Sequence, residues 1–394
     1  MRHPDVVVAG AGVVGAACAE ALSRAGLRVL VLDRGAPASG TTAAGEGNVL
    51  VSDKEPGPEL VLARASRRRW PELLAELREE LGPAAAEAEW EPKGGLVVAT
   101  TEETAAPLQG FAKAHRDVGI RAEPITLDEV ASREPWLTRK LTAAIHYPED
   151  AQLQPVLAAT TLLAAVRARG GEVRPGVRAV GVRRGENGAV QAIRTDRGEF
   201  PCAAVVNACG PWAGAFAADC GAPIAVLPRR GLVLVTAPLP PGTVQHKVYD
   251  ADYVGAVASG DAELQTSTVV ESTRAGTVLI GSSRQRAGFD ETIRFDVLRE
   301  LARKAAALFP VLANVPVMRA YGGFRPYTPD HLPVIGEDPR LPGLWHATGH
   351  EGAGIGLAAA TGQLLAELFT GRESTVDATP FRVGRPAVAE EVRA

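Results

Sequence analysis

Cysteine is scarce in this chain: Cys18, Cys202, Cys209 and Cys220 are irregularly spaced and form no C-x-x-C pair. That pattern excludes a disulfide framework and a thiolate-held zinc or iron–sulfur site, and it points to buried thiols in a reducing compartment. A dominant charge sign is lacking too. With 42 Lys and Arg against 46 Asp and Glu the formal net charge is -4, which offers nucleic acid no electrostatic footprint. The basic run Arg67, Arg68, Arg69 reads as the solvated face of a helix. No uninterrupted apolar stretch reaches the ~18 residues of a bilayer crossing. The strand pattern starting at Asp5 leaves no room ahead of it for a signal peptide. The expectation is a cytoplasmic protein with no metal, no membrane span and no nucleic-acid partner.

Glycine is plentiful, with 42 residues, and its clustering carries the first functional signal. Asp5 to Ala9 is a β-branched run, followed by Gly10, Gly12 and Gly15, an Ala-rich helical stretch ending at Gly26, and a second strand from Arg28 to Leu32 that leads into Asp33. A G-x-G-x-x-G alone is a weak signal; between strand and helix, with an acid after the second strand, it describes a dinucleotide site. Gly10 permits the tight turn, Gly12 lets the backbone approach the pyrophosphate, and Gly15 lets the helix sit close to the sheet. Val13 and Val14 open the helix, whose free N–H groups and partial positive charge face the phosphates. Asp33, with Arg34 beside it, is the candidate partner of the adenosine ribose. The fingerprint suits NAD or FAD. The loop after it (Ser39, Gly40, Thr41, Thr42, Gly45, Glu46, Gly47, Asn48) offers hydroxyls and bare backbone to a ribityl chain and a flat ring, which favours FAD.

At 394 residues the chain is long enough for two domains. Helical patterns run from about Glu59 to Leu81, Gln154 to Arg169 and Asp296 to Leu308. Strand patterns mark Gly95 to Val98, Val177 to Val182, Val190 to Thr195, Ala203 to Ala208 and much of Pro228 to Ile280. A second glycine-rich passage, Gly349 to Gly356, opens a last helix. The predicted division is a discontinuous FAD-binding domain (1–48, 150–222 and 320–382), a substrate domain (49–149 and 223–319) and a C-terminal tail (383–394), loose from Val388.

Five passages, in order, resemble the D-amino-acid oxidase-like family of FAD-dependent amine oxidoreductases, which includes glycine oxidase, sarcosine oxidase and D-amino-acid dehydrogenase. They are VVVAGAGVVGAACAEALSRAG, VLDRG, VVNACGPWA, GGFRPYTPDHLPVIGE and ATGHEGAGIGLAAATGQLLAELFTG. Within the family the stretches GTTAAGEGNVLVSDKEPGPEL and GHEGAGIGL look most like the hydrogen cyanide synthase C subunit and the D-hydroxyproline dehydrogenase β subunit, which work in complexes. The resemblance implies an α/β protein, with a Rossmann-type FAD-binding domain and an interleaved α+β substrate domain on a largely antiparallel sheet. It implies that Val177 meets the adenine region through its backbone, that Ala208 to Gly210 line the cofactor near Trp212, and that Arg325 holds a substrate carboxylate. A guanidinium fork suits that task; its alternative is a salt bridge to Asp330. In the glycine oxidase branch an arginine stands where this chain has Gly352, so a second cation must come from elsewhere, with Arg284 as candidate.

The implied reaction is oxidation of the C–N bond of a small amino or imino acid (a D-amino acid, D-proline or hydroxyproline, glycine or sarcosine) by hydride transfer to flavin N5, giving an imine. No general base is needed if the amine binds neutral. The start of the last helix (Gly352, Ala353, Gly354, Ile355) is expected at the flavin pyrimidine end, where its dipole favours the reduced anion. Tyr249 and Tyr253, read as one face of one strand, are candidates to roof the substrate. Glu46, His350 and Glu351 are candidates for polar contacts near the ring. The alternatives are an oxygen-using oxidase and a flavin-binding subunit without its own activity, and partner subunits with further redox centres fit either dehydrogenase relative.

Overall fold

A computed structural model describes residues 3–83, 86–253, 255 and 259–389. Two sheets organise it. The first has six strands in the order Val334–Glu337, Leu344–Thr348, Ala204–Asn207, Val6–Ala9, Val29–Asp33, Glu172–Pro175. All pairs in it are parallel except the edge pair Val334–Glu337 with Leu344–Thr348. Its central strands are apolar on both faces because both are covered. Val6, Val8, Val29 and Val31 enter a core with the helices Val13–Arg24, Pro58–Leu81, Pro155–Ala168 and Gly354–Phe369. The alternate residues Val7, Ala9, Leu30 and Leu32 face a small antiparallel sheet through Val182, Val190 and Ile193.

The second sheet has eight strands and is antiparallel but for one pair, Lys247–Asp250 with Gly95–Ala99. Helix Phe295–Leu308 covers one face, where Leu232, Leu234, Val278 and Ile280 meet Val297, Leu301 and Leu308. The α/β class and the largely antiparallel second sheet follow the expectation. One predicted boundary does not: position 320 falls inside the strand Val317–Tyr327, which pairs along its length with Leu227–Thr236 in the second sheet. The glycine-rich turn signals nearby hid a strand that continues through them.

Two further features bear on the expectations from sequence. By length and composition the segment Glu351–Phe369 passes as a bilayer span, but its apolarity serves burial: Ile355 to Gly362 lie inside the protein, and the Trp70 indole N–H donates to Ile355 O at 3.1 Å. The tail is anchored at its start. Val388 is fully buried, its carbonyl accepts from Ala225 N at 2.9 Å, and Arg385 pairs with Asp330 at 2.6 Å. Residues 390–394 of the expected tail lie outside the described residues.

Candidate active site

A cavity of about 580 Å³ runs from the first βαβ unit to the second sheet. At one end strand Val6–Ala9 turns at Gly10, whose φ of +116° suits glycine, and a Cβ there would lie 2.2 Å from Ala208 O. A Cβ on Gly15 would lie 2.0 Å from Gly10 O. The loop is braced from two sides. Asp33 accepts from Ala11 N at 2.7 Å and from Gly35 N at 2.8 Å. The Thr42 hydroxyl accepts from Val13 N at 3.0 Å and so caps a helix whose N-cap residue, Gly12, has no side chain to do it. We expect Thr42→Val to cost about 1–2 kcal/mol in denaturant unfolding and to weaken flavin retention. Unchanged unfolding would mean that water replaces the hydroxyl.

The other end is built by strand alternation. On Leu227–Thr236 the residues Arg229, Gly231 and Val233 point away from the helix that Leu232 and Leu234 pack against. Register sets Arg325 opposite Arg229 and Gly323 opposite Gly231, and the Arg230–Gln285 bridge brings Arg284 alongside. Gly231 leaves room for Arg325, whose Nη1 would be 2.3 Å from a Cβ there. Gly231, Val233, Ser282, Gly323 and Arg325 line the cavity on this side. Arg325 donates to Ser283 O at 2.9 Å, and removal from water, with Arg284 close by, pushes its pKa down to about 10. The guanidinium thus stays protonated at neutral pH. Asp330, its alternative partner, is engaged by Arg385.

Three buried polar atoms without a hydrogen-bond partner among the described residues belong to cavity-lining side chains: Glu46 Oε1, Ser282 Oγ and His350 Nδ1. Buried polar atoms left unpaired are costly, so this wall fits a polar ligand. The glycine-lined turn fits a pyrophosphate, and together they fit a flavin dinucleotide. Comparison with known proteins agrees. A family described as FAD dependent oxidoreductase, the DAO family, matches residues 5–368. The chain belongs to this family. It is 32% identical to glycine oxidase of Geobacillus kaustophilus over 97% of both chains, and 27% identical to hydrogen cyanide synthase subunit HcnC of Pseudomonas aeruginosa over 98% of this chain and 96% of that one. The crystal structure of glycine oxidase from Geobacillus kaustophilus superposes with a TM-score of 0.87 at 29% identity, covering 98% of this chain and 99% of that one.

Most residues singled out in the sequence of this FAD-dependent oxidoreductase line the one cavity. They are Gly10, Gly12, Val13, Val14, Gly15, Asp33, Arg34, Thr41, Thr42, Gly45, Asn48, Val177, Ala208, Gly210, Trp212, Gly352, Gly354 and Ile355, with Glu46, Tyr253, Arg325, His350 and Glu351. Val177 spends its N–H on Asp33 O at 2.8 Å, so that N–H is not open to a ligand. Arg34 lies over the Trp212 ring at 3.7 Å. Gly47 and Ala353 are not in the lining; Gly47 is needed because a Cβ would sit 2.1 Å from Leu153 O. Tyr249 does not reach the cavity either. Its strand ends at Asp250, Tyr253 sits in a helical turn, and the fully buried Tyr249 hydroxyl bonds Ser52 Oγ.

Two groups of the oxidoreductase escaped the sequence reading. Lys247 Nζ, buried, meets Glu271 at 3.0 Å, Glu46 at 3.6 Å and the Asn48 side chain. Burial pushes this ammonium's pKa down, but Glu271 and Glu46 outweigh that and hold it above its ordinary value. The second group joins Arg229 to Glu351 at 3.3 Å and Glu351 to His331 at 2.8 Å. The hydrogen bond to Glu351 raises the His331 pKa. The sign follows from linkage: the folded chain binds this proton more tightly, so the stabilisation is full below the unfolded value of about 6.5 and is lost as pH rises through the folded value. His331 has φ +58°, which Asn tolerates. We expect the Tm gap between the parent and His331→Asn to narrow as pH rises from about 6 upward. A gap independent of pH would remove the charge from this account.

Proposed function

We propose that the enzyme oxidises the C–N bond of a small amino or imino acid whose carboxylate is held by Arg325. The carrying observation is that Arg325, lining the cavity that the glycine turn also lines, has no acid partner among the described residues. A planar guanidinium in that position suits a bidentate carboxylate. A bound flavin would supply the two-electron hydride acceptor for the carbon bearing the nitrogen; with the N–H proton lost to solvent, the product would be an imine that water hydrolyses to a carbonyl and ammonia or an amine. The chain's own part is to hold the acid at Arg325 and to wall the site with Tyr253, so that orientation supplies much of the rate. His350, fully enclosed, has its pKa pushed down to about 3 by burial and serves as a neutral polar group. The start of helix Gly354–Phe369 on the cavity wall adds a partial positive charge.

The likeness to glycine oxidase supports a small amino-acid substrate, and the likeness to an HcnC subunit supports assembly with partner subunits. A cytoplasmic enzyme, with the six-stranded sheet holding nucleotide and the eight-stranded sheet holding substrate, is consistent with this reading. Anaerobic mixing of the flavin-loaded protein with glycine, sarcosine, D-amino acids and D- and L-proline derivatives tests it. Bleaching by at least one is expected; a flavin that none of them reduces would end the proposal.

A further inference from the structure

The cations on the substrate face outnumber their anions. Arg229, Arg284 and Arg325 stand on adjacent strands, with Arg229 and Arg325 directly opposite in register. Like charges placed so are unfavourable. Among the described residues only Arg229 has an acid in salt-bridge range, Glu351. Glu46, whose charge also reaches Arg325, accepts from Asn48 at 3.1 Å and faces Lys247. Arg284 is 5% exposed and is not itself in the cavity lining, but it lies 4.7 Å over the ring of Tyr253, which is; among the described residues its side chain hydrogen-bonds only Ser267 Oγ, at 3.5 Å. Neither Arg284 nor Arg325 has a carboxylate in salt-bridge range among the described residues. Arginine cannot relieve its burial by losing a proton, so a guanidinium removed from water calls for an anion.

One substrate carboxylate answers one of these groups. We propose that the substrate carries two, as an amino or imino dicarboxylic acid, with Arg325 holding the carboxylate next to the reacting carbon and Arg284 the distal one. Tyr253 fixes the second guanidinium by stacking, and apart from the long contact to Ser267 Oγ its N–H edge is left to fork onto an acid. The inference rests on the reading of Arg325 as the carboxylate anchor.

The test is anaerobic reduction of the flavin-loaded protein by matched pairs: iminodiacetate against sarcosine, aspartate against alanine, glutamate against norvaline, the chiral acids in both hands. In at least one pair the diacid should reduce the flavin with about tenfold or greater second-order efficiency over its partner. Arg284→Met should cut the diacid's efficiency about tenfold more than the monoacid's, and Arg284→Lys should recover part of that selectivity. If the variants do not fold, the parent protein's pairs decide alone. Monoacids as good as or better than diacids in every pair would overturn the inference and leave the functional reading standing. A flavin bleached by none of the compounds would overturn both.

Discussion

Arg325→Ala is expected to lower the second-order rate of anaerobic flavin reduction by about 10²–10³-fold, since truncating one side of a buried charge pair costs about 3–4 kcal/mol. Flavin content should stay near that of the parent, because the turn at Gly10 lies at the other end of the cavity. The loss should fall mainly on apparent affinity for the acid, and an amine lacking a carboxylate should show little difference between parent and variant. Arg325→Lys should recover part of the loss, as ammonium supplies the charge without the planar fork. Stopped-flow absorbance in the flavin band measures each quantity. Equal reduction by parent and Arg325→Ala would refute the anchor.

Gly10→Ala should give a protein that folds but retains little flavin. The added methyl would stand 2.2 Å from Ala208 O, and φ +116° is poorly tolerated by alanine. Neither Ala208 nor Gly10 can move freely, for each directly follows a central strand of the six-stranded sheet. The turn must shift instead, and the N–H groups that open helix Val13–Arg24 lose their aim. The ratio of flavin absorbance to protein, with far-UV circular dichroism as the check on folding, reads the outcome. Full flavin occupancy in Gly10→Ala would show that the cofactor does not lean on this turn.

The nucleotide end was legible in the sequence because its parts are near neighbours in the chain. Strand, glycine turn, helix and Asp33 occupy the first 33 positions, and their spacing states the geometry. Arg325 was legible only through its motif. Arg229 was missed because its place depends on register between strands almost a hundred residues apart, which no local pattern records. Arg284 entered as a candidate second cation, yet only the sheet shows that no acid among the described residues accompanies it. Tyr249 and Tyr253 misled for a local reason: period two holds only while the strand lasts, and this one ends at Asp250 between them. Lys247 gave no signal, since its partners Glu271, Glu46 and Asn48 come from distant segments.

Strand Leu227–Thr236 presents cavity residues on one side and core residues on the other, and this has an evolutionary corollary. Positions 233, 282 and 325 line the cavity, apart from the contacts that Leu232, Leu234 and Ile280 make with the covering helix. Selection for a new substrate therefore acts on one set of side chains while selection for folding acts on another. A library varied only at the cavity positions should be rich in folded proteins with altered preference, whereas one varied at the alternate positions should be rich in aggregates.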